Sequence, residues 1–214
     1  TQIDEFRDVT EMTLYAPDHP GLFSRIAGAM AVSGANIVDA KIFTMTNGMA
    51  LDTFSIQDAN GKAIRQAEQL SRLSTRIRAT LAGELRPARE LAKKIESQAN
   101  SRTRVFTVAP RVLIDDSASR TYTVIEVNGR DRPGLLYDLT RTLTGLNLQI
   151  GSARIATYGE AAVDVFYVKD IFGLKIAHDG KLAQIHATLL DVMEDKDEPR
   201  TETGAEERLS TAGE

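Results

Sequence analysis

The sequence predicts an α+β chain built from two consecutive βαββαβ units, and three observations carry that prediction. A short phrase occurs twice, as Asp18-His19-Pro20-Gly21-Leu22-Phe23 and as Asp131-Arg132-Pro133-Gly134-Leu135-Leu136. The match continues in step, residues 21–42 with 134–155, at a constant offset of 113. Each copy is followed by the same succession of β-rich and helix-periodic runs. Self-similarity of this kind decides the architecture before any local reading, and two copies mean a tandem of two small like units.

In the first copy, Met12-Thr13-Leu14-Tyr15-Ala16 alternates and stops at Pro17, which predicts a strand. Leu22, Ile26 and Met30 recur at helical spacing, with Phe23 and Ala27 on the adjoining row, and Gly34 ends that helix. Residues 37–43 and 50–56 are β-rich and joined through Thr46-Asn47-Gly48, where Asn-Gly signals a tight hairpin. A helix follows over 63–81, with Ile64, Leu70, Leu73, Ile77 and Leu81 on its apolar face. Gly28, inside the first helix, reads as a point of close packing.

The second copy repeats the order: strand 123–127, helix 135–143, strand 149–156 and strand 161–168, with Tyr158-Gly159-Glu160 at the turn. One residue fewer around that turn shifts later equivalences to 112, so that Asp52 matches Asp164 and Phe54 matches Phe166. A helix over 181–193 closes the copy. Strand, helix, strand, strand, helix, strand is the ferredoxin-like, split βαβ arrangement. Extra helical material at 86–98 precedes an extended run at 105–114, read as the first unit's closing strand; that it serves both sheets stays open. The second unit then lacks a closing strand of its own. The expected bounds are 9–116 and 120–195, followed by an acidic, Thr/Glu/Gly-rich tail at 196–214 that reads as disordered.

Composition narrows the function. With 42% hydrophobic and 26% charged residues in 214, the chain has the balance of a soluble globular protein. It has no cysteine, which excludes disulfides, thiolate nucleophiles and zinc–thiolate sites. No apolar run approaches the roughly 20 residues of a membrane span, no leader peptide is evident, and a cytoplasmic protein is the expectation. A first residue of Thr1 rather than Met suggests a piece of a longer polypeptide. The net charge of −4 argues against nucleic acid. Residues 62–111 carry a local charge of +8, read as solvated helix faces, and residues 191–214 a local −6.

The duplicated loop has its own chemistry. Proline pre-sets φ for a helical turn and glycine allows close backbone approach. Asp18 or Asp131 is placed to cap the helix start, and the first N–H groups of a helix suit a carboxylate ligand. In this topology the next strand starts nearby, with Asn36-Ile37 in the first copy and Gln149-Ile150 in the second. A side-chain amide both donates and accepts, as the ammonium and carboxylate of an α-amino acid require. Asp18, His19, Pro20, Gly21, Leu22, Asn36 and Ile37 are therefore one candidate site. Asp131, Arg132, Pro133, Gly134, Leu135, Gln149 and Ile150 are the other.

With these residues on the page, the two units resemble ACT domains, regulatory modules of βαββαβ topology that commonly bind amino acids between paired domains. The phrases Tyr15-Ala16-Pro17-Asp18-His19-Pro20-Gly21-Leu22-Phe23 and Val127-Asn128-Gly129-Arg130-Asp131-Arg132-Pro133-Gly134-Leu135 resemble the C-terminal tandem of bacterial PII uridylyltransferase/uridylyl-removing enzymes. Gly34-Ala35-Asn36-Ile37-Val38-Asp39-Ala40 and Asn47-Gly48-Met49-Ala50-Leu51-Asp52-Thr53-Phe54 fit the same family. The resemblance implies glutamine as effector, ACT–ACT pairing, PII proteins and upstream catalytic domains as partners, and Mg2+ with UTP at those catalytic domains. It implies no cofactor and no catalytic residue in this segment. His19, His178 and His186 are the three histidines, and nothing in the sequence gathers them into a metal centre. A free-standing tandem regulator or interaction module, or the tail of another amino-acid metabolic enzyme, is the competing reading.

Overall fold

The computed structural model describes residues 1–99, 108–158 and 160–194. The first unit runs β1 (Gln2–Asp4), β2 (Val9–Pro17), α1 (Leu22–Ser33), β3 (Asn36–Lys41), β4 (Met49–Gln57) and α2 (Ala67–Leu81). Then come α3 (Pro87–Ala99), β5 (Arg111–Asp115), β6 (Thr123–Arg130), α4 (Leu135–Gly145), β7 (Leu148–Tyr158), β8 (Ala161–Asp170) and α5 (Asp179–Glu194). All pairings are antiparallel, in one eight-stranded sheet of order β1-β2-β4-β3-β7-β8-β6-β5. No helix among the described residues is long and apolar enough to cross a membrane.

The inward rows of the strands meet the helices in a core shared by both units. Phe54 and Phe166, which occupy matching positions, are both fully buried, as are Ile26, Met30, Leu139 and Leu143. The ring centroids of Phe23 and Phe54 lie 5.5 Å apart. The period-two alternation legible in the strands is thus the burial of one sheet face.

Several expectations change. The strand at Arg111–Asp115 does not close the first unit. It pairs with β6, from Arg111↔Asn128 to Asp115↔Val124, and gives the second unit its edge strand. The first unit therefore ends before Arg111 rather than at 116. Local geometry explains the choice, because Asp115 Oδ1 accepts the N–H groups of Ser117 and Ala118 in a tight turn that returns the chain to β6. The outer edge of β2 is meanwhile taken by β1, a strand that the sequence analysis does not predict. Residues 63–66 are not helical: Ala63 and Ile64 are buried in an irregular segment where Ile64 O accepts the Thr10 hydroxyl at 2.9 Å. Residues 105–107, Gly159 and the acidic tail at 196–214 lie outside the described residues.

The two units sit side by side. β3 and β7 are equivalent strands, and they pair antiparallel at Asp39↔Arg154, Ala40↔Ala153 and Lys41↔Ser152. Behind them α1 packs on α4. Equivalent strands in antiparallel contact place a pseudo-twofold axis between the units. Gly28 is the close-packing point that its place in α1 suggested, since a Cβ there would lie 2.6 Å from Pro87 Cβ and 2.7 Å from Tyr137 Cδ2.

Candidate functional site

Both copies of the duplicated loop adopt the same conformation. Gly21 and Gly134 occupy the N-cap positions of α1 and α4 with φ of +85° and +81°, a region that disfavours any side chain. Leu22 N–H donates to His19 O, and Leu135 N–H to Arg132 O, each at 3.1 Å. The first four-residue helical bonds run from Arg25 N–H to Gly21 O and from Asp138 N–H to Gly134 O. The N–H groups of the first turn have no intrahelical acceptor, which suits each helix start to an anion.

Neither loop aspartate caps its helix, because a left-handed glycine at the cap sets Asp18 and Asp131 three residues too early. Each bonds instead to a hydroxyl at a matching place: Thr44 Oγ1 donates to Asp18 Oδ2 at 2.6 Å, and Thr157 Oγ1 to Asp131 Oδ2 at 3.5 Å. The loops are further tied to their hairpins, Asp18 N–H to Gly48 O at 3.0 Å and Asp131 N–H to Glu160 O at 2.8 Å.

Two clefts flank the pseudo-twofold axis, and they mix the units. The first, of about 470 Å³, joins Asp18, His19, Pro20, Gly21 and Leu22 to Gln149 and Ile150. The second, of about 320 Å³, joins Asp131, Arg132, Pro133, Gly134 and Leu135 to Asn36 and Ile37. The expected grouping of each loop with the amide of its own copy is therefore wrong. Pairing β3 with β7 turns the start of each strand toward the other unit's loop. A β-bulge recurs at the same point in both strands, between Ile37 and Asp39 and between Ile150 and Ser152.

The clefts differ in chemistry. In cleft 2, Arg132 is committed elsewhere: its Nη1 lies 2.6 Å from Asp138 Oδ2, both side chains being largely buried, and its Nη2 reaches Val192 O at 3.5 Å. Asn36 Nδ2 donates to Asp58 O at 3.3 Å. Helix α3 adds Lys94 to the lining, donating to Ala31 O at 3.2 Å, and sets Leu91 against Gly134. Cleft 1 is lined in addition by Asp52, Thr44, Tyr122 and Lys169.

Asp52 lines cleft 1 and is missing from the residues the sequence predicts for the site, although an acid on the inward row of an apolar strand is a readable signal; its counterpart Asp164 lines neither cleft. Both are buried, at 1% and 2% exposure. Phe43 N–H donates to Asp52 Oδ1 at 3.4 Å, and the matching backbone amide of Ala156 serves Asp164, one of whose oxygens has no partner. Burial, reinforced by the neighbouring Asp18, pushes the Asp52 carboxyl up to about 6. Burial and Asp131 push Asp164 up to about 7. His178, just before α5, and His186, on it, are exposed, and neither lines these two clefts.

Against known proteins, residues 111–195 match the family model described as "ACR9-like, ACT-like domain". The chain is 62% identical over 196 residues to the bifunctional uridylyltransferase/uridylyl-removing enzyme of Azospirillum brasilense, covering 91% of this chain and 21% of that protein. It is 50% identical over 209 residues to the enzyme of the same name from Rhodospirillum rubrum, covering 98% of this chain and 22% of that protein. The chain thus spans about a fifth of the length of these relatives. The model's match spans the second unit, and the first unit repeats the same core order of elements.

Proposed function

We propose that this pair of ACT-type units, similar to one region of the uridylyltransferase/uridylyl-removing enzymes, is an amino-acid sensor with glutamine as its effector. The observation that carries the reading is the crosswise construction of the clefts. Each is walled by a glycine loop from one unit and an amide-bearing strand start from the other. A ligand held there binds the paired arrangement and not separated units, and such differential affinity is what an effector needs to shift a conformational equilibrium. The helix start takes the ligand's carboxylate, and Gln149 or Asn36 takes its polar side chain. In a longer enzyme of this kind, the occupied clefts restrain uridylylation of PII proteins and favour removal of the uridylyl group. This segment contributes regulation, and the chemistry with UTP and Mg2+ belongs to catalytic domains elsewhere.

Calorimetric titration of the chain with glutamine and with glutamate tests the reading. Glutamine is expected to bind, and glutamate at least about tenfold more weakly, because a carboxylate cannot supply the amide's donor to a desolvated acceptor. Equal binding of the two overturns the glutamine assignment.

A further inference from the structure

The two clefts share a loop design but not their charges. Asp52 stands on the inward row of β4 between Ala50 and Phe54 and lines cleft 1 at 1% exposure. Its single backbone donor, Phe43 N–H, is 3.4 Å away. A buried carboxylate served by one long hydrogen bond is poorly compensated unless a cation arrives. Asp18, on the loop of the same unit, adds a second carboxylate to this wall. On the facing wall, Lys169 lies directly opposite Gln149 in the β7–β8 register. Its Nζ sits 4.7 Å from the centroid of the Tyr122 ring and has no carboxylate partner among the described residues. The other titratable side chain of the lining is His19.

Cleft 2 keeps the loop carboxylate, Asp131, and has Lys94 from α3, which donates to Ala31 O, but it lacks the buried strand acid and the strand lysine of cleft 1. Asp164, the counterpart of Asp52, is absent from its lining, and the counterpart of Lys169 is Gln57, which donates to Asp8 O. The position matching Tyr122 is Val9, buried in the core.

We infer that cleft 1 receives its ligand as a zwitterion, with the ligand's α-ammonium on Asp52 and Asp18 and its α-carboxylate on Lys169 beside the start of α1. The inference rests on the amino-acid reading of the cleft and assigns three charged residues to it. Asp52 and Lys169 then select for a free α-amino acid over its amide or N-acyl form, each of which lacks one charge, and over peptides, whose two charges sit on different residues. Cleft 2, without counterparts of Asp52 and Lys169 in its lining, is the weaker site.

The test is calorimetric titration of the whole chain with glutamine, alongside the Asp52→Asn, Lys169→Gln and Asp164→Asn variants. In the unaltered chain, N-acetylglutamine serves as a ligand without the ammonium group. The expected result is a loss of tenfold or more in affinity at the tighter site for Asp52→Asn and for Lys169→Gln. Asp164→Asn should bind within twofold of the original, and N-acetylglutamine at least a hundredfold more weakly than glutamine. The N-acetyl comparison needs no variant to fold. Glutamine binding that survives in both variants, or N-acetylglutamine binding as well as glutamine, overturns the zwitterion assignment and leaves the amino-acid reading standing. No glutamine binding by the unaltered chain overturns both.

Discussion

A Cβ at Gly28 would fall 2.7 Å from Cδ2 of Tyr137, a residue of the other unit, so glycine at this point of α1 sets how closely α1 approaches α4. The same contact decides the clefts, since both are formed where the units meet. Pro87 Cβ, 2.6 Å from the same position, crowds it further.

Gly28→Val is therefore expected to cost roughly 1–3 kcal/mol, the usual penalty for overfilling a packed contact. It should also weaken ligand binding at both clefts, although it touches neither loop. Thermal melting together with glutamine titration checks this. A variant that melts lower but binds normally would show that the clefts tolerate separation of α1 from α4.

The crosswise clefts make a sharper claim about pairs. Asp18 and Gln149 line one cleft, while Asp18 and Asn36 line different ones. In a double-mutant cycle on glutamine affinity, Asp18→Ala with Gln149→Ala should be non-additive by about 1 kcal/mol. Asp18→Ala with Asn36→Ala should add within about 0.5 kcal/mol. Grouping by copy predicts the reverse.

Why were the residues legible but not their grouping? A repeat reveals which positions correspond, and both loops and both amides were found that way. It does not reveal which copy supplies the partner, because that depends on two sheet edges meeting. The edge of β3 finds β7 through a short register, Asp39↔Arg154 to Lys41↔Ser152, whose side chains look ordinary in sequence. The strand over Arg111–Asp115 shows the same limit: its alternation was visible and its neighbour was not. The loop aspartates failed as caps for a local reason, the positive φ of Gly21 and Gly134, which moves the helix start past them. Asn47-Gly48 and Gly34 behaved as their chemistry predicts, both glycines having positive φ.

Arg132 and Asp138 form a pair at 2.6 Å with side-chain exposures of only 12% and 15%. Removing one partner leaves the other charge poorly solvated, so Asp138→Asn is expected to destabilise the second unit by roughly 3 kcal/mol. Replacing both, Arg132→Met with Asp138→Leu, should recover most of that loss, because apolar groups of similar size avoid the desolvation cost. Denaturant unfolding of the single and double variants measures it. Full stability in Asp138→Asn would mean that the arginine is held by its contact with Val192 O and by solvent.

Asp164 supplies a prediction whose sign can be worked out. Its carboxyl is pushed from 3.8 up to about 7 in the folded chain, so the folded state keeps a proton that the unfolded state has released. Stability then falls as pH rises from about 4 to about 7 and levels off above, where the buried carboxylate is charged with one oxygen unpartnered. The full penalty corresponds to roughly 4 kcal/mol. Asp164→Asn has no proton to lose, so its advantage over the original chain should be small near pH 4.5 and grow to several degrees of melting temperature by pH 8. Melting curves of both proteins across that range decide the matter. A constant difference at every pH would show that Asp164 titrates at an ordinary carboxylate value and that its burial is relieved by water.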